Sequence, residues 1–351
     1  MRIFASIAAF LVFASANLGA WAQSETEAMA EKPSVPVFAK WLEGVRLEAR
    51  ERGISQATID AALSDIHPNE RVVELDRKQP EFTQTFEQYL EKRVSDIRIK
   101  RGREMMAKHR DSLRKVAEKY GVQPRFIAAI WGLETNYGAY TGGMNVVQSL
   151  ATLAYDQRRA AFFRKQLFAA LTIIDEGHIA AADMMGSWAG AMGQSQFMPT
   201  SFNAYAQDFD GDGRRDIWTT EADVFASIAH YLASHGWRGD MTWGRAVLIP
   251  AGMSPTEGDL AQTTPPKSCG RALKAHSKSL DLADWQKLGV RRLNGEALPK
   301  APFAASMVQP GSTEGRAYLT YKNYRAILSY NCSNLYAMAV GHLADALKSA
   351  E

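Results

Sequence analysis

Apolar residues recur at helical spacing along most of this chain and alternate like strands in one stretch near its end. Phe38, Trp41, Leu42 and Val45 fall at i, i+3, i+4 and i+7, which predicts an amphipathic helix over 38–50. Ser55, just after Gly53, is placed to cap a second helix running to Leu63. A long helical tract is predicted over 83–120, carrying Tyr89, Leu90, Val94, Ile97, Ile99, Met105, Met106, Leu113 and Val116. Further helices read at 124–134, 162–175, 223–235 and 335–348. From 243 onwards Pro and Gly become frequent, and short β-rich runs stand at 246–249, 304–308, 317–321 and 324–329. The pattern predicts a mainly α (α+β) chain: a helical region over 37–242, a small β-containing lobe over 243–329 and a C-terminal helix over 330–351.

One acid breaks this pattern. Pro124 opens and Asn136-Tyr137-Gly138 closes a segment in which Ile127, Ile130, Trp131 and Glu134 share a stripe. The adjoining face, with Phe126, Ala129 and Leu133, is apolar too, so this helix is expected to be buried nearly all round. A carboxyl in such a setting has its pKa raised and becomes a candidate general acid. A structural partnership with an Arg or a backbone amide is the alternative reading.

The first residues indicate export. Arg2, an apolar run over 3–18 and Ala20-Trp21-Ala22 have the layout of a secretory signal peptide over 1–22, followed by a polar, Pro-punctuated leader over 23–36. The run is short and broken by Ser6, Ser15 and Asn17, and no cysteine lies near the cleavage site, so no stable membrane anchor is expected. The net charge of +3 is too weak to imply nucleic acid. The tract over 83–120 is basic, but interleaved acids favour a solvated helix surface over a binding surface for an anionic polymer. Cys269 and Cys332 are the only cysteines; their spacing fits no metal motif, and an oxidising compartment makes them a candidate disulfide.

Two segments carry further chemistry. Residues 184–207 contain no Asp, Glu, Lys or Arg. Glycines there permit close backbone approach, Ser187, Gln194 and Gln196 offer neutral hydrogen-bonding groups, and Trp188, Phe197, Phe202 and Tyr205 offer flat apolar faces. This composition suits an uncharged glycan; a tightly packed helix hairpin would have it too. The segment Asp208-Phe209-Asp210-Gly211-Asp212-Gly213-Arg214-Arg215-Asp216 matches the start of a calcium loop, with oxygen side chains at positions 1, 3, 5 and 9, Gly at 6 and the Arg214 carbonyl at 7. Position 12 is Thr219, so the last carboxylate is expected from Glu221 or Asp223. Near the C-terminus, a strand over 324–329 is expected to enter a turn and a helix, gathering Tyr330, Asn331 and Tyr336 as ligand contacts or as packed rings.

Taken together, these segments resemble the lytic murein transglycosylases of the membrane-bound B type and their soluble forms. The matching pieces are Gly132-Leu133-Glu134-Thr135-Asn136-Tyr137-Gly138, the run from Ala189-Gly190 through Gln196-Phe197-Met198-Pro199, and the Asp-rich loop into Ile217-Trp218. Tyr231 through His235-Gly236-Trp237, and Tyr330-Asn331 through Gly341-His342-Leu343, extend the likeness. The resemblance implies a goose-lysozyme-like helical core with a helical lobe and a small β lobe, in a periplasmic, monomeric enzyme. It implies cleavage of peptidoglycan glycan strands at the β-1,4 bond between N-acetylmuramic acid and N-acetylglucosamine, with Glu134 as the single acid and base. Glycan contacts carry over to Tyr89, Ser187, Gln196, Phe197, Tyr231, Tyr330, Asn331 and Tyr336, and Arg158 and Arg159 to a cleft-lining pair that could meet peptide carboxylates. A structural Ca²⁺ would sit on Asp208, Asp210, Asp212, Arg214 and Asp223; no organic cofactor is implied. The loop before the helix is one residue longer than in some relatives, and the lipid-attachment cysteine is absent, which favours a soluble form. A hydrolytic muramidase using the same Glu134, and a non-catalytic peptidoglycan-binding scaffold, are the other readings.

Overall fold

A computed structural model of the chain describes residues 35–78, 84–264, 266, 268–311 and 316–348. The expected signal peptide and nearly all of the leader lie outside these residues. In chain order the helices are α1 (Val35–Glu51), α2 (Gln56–Leu63), α3 (Glu70–Arg77), α4 (Phe86–Arg93), α5 (Asp96–Lys108), α6 (Arg110–Tyr120), α7 (Pro124–Thr135), α8 (Val146–Tyr155), α9 (Ala160–Asp175), α10 (Pro199–Tyr205), α11 (Glu221–Ser234), α12 (Gly270–Leu273), α13 (Leu282–Lys287), α14 (Lys322–Tyr330) and α15 (Asn334–Leu347). A two-residue ladder joins β1 (Met144–Asn145) to β2 (Met185–Gly186). The second sheet has β3 (Gly244–Leu248), β4 (His276–Asp281), β5 (Arg291–Arg292), β6 (Ala304–Val308) and β7 (Arg316–Thr320) in the antiparallel order β4-β6-β7-β3-β5. No described helix is long and apolar enough to cross a membrane.

Local chemistry explains most boundaries. Ser55 caps α2, as expected, by accepting the Thr58 N–H. The tract over 83–120 is not one helix but three. Ser95 ends α4 and starts α5 because its hydroxyl accepts the Arg98 N–H, while Thr85 and Gln88 form a capping box on α4. The chain bends again at His109. Apolar spacing carries on through both breaks, so periodicity alone does not reveal them.

Residues 324–329 are likewise not a strand but most of α14. Tyr324, Ile327 and Leu328 fall at i, i+3 and i+4 on its buried side, and so short an apolar run fits either periodicity. The first helix also starts at Val35, within the stretch expected as leader.

Two hydrophobic clusters result. The larger gathers α1, α2, α6 to α9, α11, α14 and α15 around Phe126, Ile127, Ile130 and Trp131. The smaller fills the five-stranded sheet with Val247, Trp285, Met307, Leu319 and Tyr321. Trp243 links them: its ring packs 5.5 Å from His342 on α15, and its Nε1 donates to Asp345 Oδ2 at 3.0 Å. Cys269, before α12, and Cys332, between α14 and α15, form a disulfide with Cα atoms 4.9 Å apart.

Candidate active site

Helix α7 forms where it does because Pro124 takes its first turn and Asn136 closes it in the left-handed conformation. Tyr137 follows at φ +60° and folds back, its ring filling the space left by two missing side chains. A Cβ on Gly132 would lie 2.5 Å from that ring, and one on Gly102 of α5 would lie 2.2 Å from its hydroxyl. The helix is buried on every side from Phe126 to Leu133, and Glu134, next to its last residue, is only partly buried.

Tyr336 of α15 donates to Glu134 Oε1 at 2.6 Å. Burial pushes the carboxyl up from its usual 4.5 to about 7, while the Tyr336 hydrogen bond and the Arg93 charge pull the other way. Among the described residues no second carboxylate contributes to that shift. Glu134 is therefore protonated for much of the time near neutral pH.

The wall around Glu134 is aromatic. Tyr330 donates to the Ser195 carbonyl at 2.6 Å and Tyr231 to the Ser329 carbonyl at 2.5 Å. Ring centroids lie 4.8 Å apart for Tyr231 and Tyr330, 5.6 Å for Phe197 and Tyr231, and 5.7 Å for Phe197 and Tyr330. Burial and the Glu134 charge hold the Tyr330 and Tyr336 phenols well above their ordinary range, so both remain donors. On α4, Tyr89 is half-buried and also feels the Glu134 charge, with Arg93 lying over its ring at 5.5 Å. Arg93 escaped the sequence reading, where it passed as one charge of a solvated face; its i, i+4 spacing from Tyr89 was the available signal.

Ser187 and Gln196 lie on the loop that packs against the exit of α7. The Ser187 hydroxyl accepts the Ala191 N–H at 3.0 Å, which leaves its proton available to another acceptor. Gln196, at φ +51°, spends its amide hydrogens on the Thr141 and Gly193 carbonyls. Asn331 is exposed in the turn before the disulfide. Gln194, another neutral amide of this segment, is buried.

Arg158 and Arg159 do not stand free. Both guanidiniums are held by Asp76 of α3, whose carboxylate is buried, with Arg158 Nε at 2.8 Å from Oδ2. Removing either Arg would leave a buried charge short of a partner, so these residues tie α3 to the start of α9.

The Asp-rich loop brings Asp208, Asp210 and Asp212 together, with one oxygen from each within 4.8 Å of the others. Three hard carboxylates at this spacing fit Ca²⁺. Asp223 is not part of that cluster: its two oxygens accept the Phe209 and Asp216 N–H groups at 2.7 and 2.8 Å, so it braces the loop from α11. Burial raises its pKa to about 6. Arg214 pairs with Asp212 and lowers that carboxyl's pKa.

Comparison with known proteins decides the family. The family model described as "Transglycosylase SLT domain" matches residues 37–345. The chain belongs to that family. It is 31% identical over 266 residues to membrane-bound lytic murein transglycosylase B of Escherichia coli K12, an alignment that covers 74% of this chain and 66% of that protein. Among solved structures, SltB3 of Pseudomonas aeruginosa in complex with NAG-anhNAM-pentapeptide is 43% identical, with a TM-score of 0.81 over 89% of this chain and 79% of that one. Slt35 of Escherichia coli in complex with calcium is 25% identical, with a TM-score of 0.71 over 90% and 94%. The mainly helical fold with its small five-stranded sheet is thus a transglycosylase fold, and Glu134 lies on a buried helix of the region matched by the family model.

Proposed function

We propose that this transglycosylase cleaves the β-1,4 bond between N-acetylmuramic acid and N-acetylglucosamine in periplasmic peptidoglycan and closes a 1,6-anhydro ring, with Glu134 as the only acid and base. The observation that carries this reading is a single buried carboxyl with a pKa of about 7, served by the Tyr336 hydroxyl and with no second carboxylate among the described residues contributing to that shift. Most glycosidases flank the scissile bond with two carboxylates. One is enough when the substrate brings its own nucleophile.

Protonated Glu134 gives its proton to the leaving glycosidic oxygen as the bond to the anomeric carbon breaks. The N-acetyl carbonyl of the muramic acid stabilises the cationic carbon, with the free Ser187 O–H orienting that group. Glu134, now a carboxylate held by Tyr336, takes the proton of the sugar's own 6-hydroxyl, whose oxygen bonds to the anomeric carbon. Protons balance, Glu134 ends as it began, and no water is consumed. Tyr89, Phe197, Tyr231, Tyr330 and Asn331 supply the faces and edges along which the strand lies. Asp208, Asp210, Asp212 and the Arg214 carbonyl would hold Ca²⁺, which would cancel their mutual repulsion and fix the loop; the calcium complex of Slt35 supports this assignment.

Digestion of purified sacculi followed by mass spectrometry tests the reading. Muropeptides lighter by one water than hydrolysed ends are expected. Fully hydrated ends would instead assign a muramidase, and binding without release a scaffold. Glu134→Gln with undiminished lytic activity would remove Glu134 from the mechanism.

A further inference from the structure

We infer that Gln194 is a positioning residue for Glu134, clamping the helix turn that bears the acid to the exit of the Asp-rich loop. The side chain is buried, and both ends of its amide are used. Oε1 accepts the Trp131 indole N–H at 2.8 Å, and Nε2 donates to the Trp218 carbonyl at 3.0 Å. Its backbone works the same way: the N–H donates to the Ile217 carbonyl at 2.7 Å, and the carbonyl accepts the Thr135 hydroxyl at 3.0 Å.

Trp131 precedes Glu134 by three residues and Thr135 follows it directly. One residue thus grips α7 on both sides of the acid. The chain leaving α7 closes over the same amide: a Cβ on Gly138 would lie 2.3 Å from Gln194 Oε1, and the Gly138 N–H is held by Thr135 Oγ1 at 3.1 Å.

The other side of the clamp continues into the loop. Asp216 Oδ1 accepts the Trp218 and Thr219 N–H groups at 2.8 and 2.9 Å, and the Asp216 N–H is in turn held by Asp223. Hydrogen bonds therefore run from the base of the Asp-rich loop through Gln194 to the turn carrying Glu134. Proton transfer needs the acid within hydrogen-bond reach of the leaving oxygen. A slack turn lets Glu134 sample positions outside that reach and opens it to water.

This inference rests on Glu134 being the acid, so Glu134→Gln is assayed alongside. The test compares Gln194→Leu and Gln194→Glu in the full chain with a control, Gln166→Leu. Gln166 is equally buried and bonds the Thr200 N–H and hydroxyl between α9 and α10. Thermal midpoint, kcat, KM on solubilised glycan strands and the pH profile are measured for each. Both Leu variants should lose stability. Only Gln194→Leu should lose kcat, on the order of tenfold or more with KM changed less than about twofold, and its alkaline limb should fall below that of the wild type as water reaches the carboxyl. Gln194→Glu, which keeps an acceptor for Trp131, should recover part of the loss. A folded Gln194→Leu with wild-type kcat and limb, or a kcat loss matched by Gln166→Leu, overturns the inference. If Gln194→Leu does not fold, Gln194→Glu decides: lowered kcat with steady KM supports the clamp, and unchanged kcat overturns it. An active Glu134→Gln removes the reading beneath it, whereas an inactive one beside a wild-type Gln194→Leu removes the clamp alone.

Discussion

Replacing Glu134 by Gln should abolish lysis and, above neutral pH, make the protein more stable. The folded chain holds this carboxyl's pKa near 7, against about 4.5 when unfolded. The folded state therefore keeps a proton that the unfolded state gives up as pH rises through that window. Below pH 4.5 both states are neutral at this site and there is no cost; above about 7 both are ionised and the whole cost of a carboxylate in this wall is borne by the fold. The difference corresponds to about 3 kcal/mol at most, the exposed part of the group being screened by water. Glutamine has the same shape, can still accept from Tyr336 and never ionises. Urea unfolding at about pH 4 and about pH 8 should show the two proteins alike at the lower pH and the Gln variant ahead at the higher, by up to that amount. A gap independent of pH, or one favouring the wild type at high pH, would refute the reasoning, because the acid would then not be raised by the fold.

Three further outcomes follow from the same geometry. Tyr336→Phe removes a hydrogen bond that favours the carboxylate, worth about 1.5–3 kcal/mol, so the alkaline limb of sacculus clearing should rise by about one to two pH units; a fall would contradict it. Chelation should lower the thermal midpoint, by an amount equivalent to about 2.7 kcal/mol if Ca²⁺ stood at a hundredfold its Kd, and a combined Asp210→Asn and Asp212→Asn variant should be indifferent to the chelator in differential scanning calorimetry. Cys332→Ser opens a loop closed across 63 residues, which should cost about 4 kcal/mol in urea unfolding, and an equal stability would show that the bond constrains nothing.

Glu134 stood out in the sequence because it shares the apolar stripe of a helix expected to be buried nearly all round, although that pattern fits a structural partnership as well as a site. Ser55, Pro124 and the glycine after α7 were legible as local chemistry. The family likeness offered Tyr336 only as a glycan contact, and its bond to Glu134 was not legible, since 202 residues separate the two and nothing local joins them. The breaks at Ser95 and His109 were hidden because a helix can change direction without interrupting its apolar spacing. Residues 324–329 misled because six residues are too few to separate the two periods. The pairing of Arg158 and Arg159 with Asp76 was not legible because that carboxylate lies on another helix. The bonds of Gln194 were hidden for the same reason: composition tells which groups can hydrogen-bond, and the fold decides with what.

The acid arrives early in the chain and its hydroxyl partner nearly last. Until α14 and α15 have docked on α7, Tyr330 and Tyr336 are missing from the wall, and Glu134 faces water on the side they would cover. A chain interrupted before Lys322 lacks both rings and the hydroxyl that bonds Glu134. The setting of Glu134 is thus completed only by the last two described helices, so Lys322 to Leu347 belong to the site as much as α7 does.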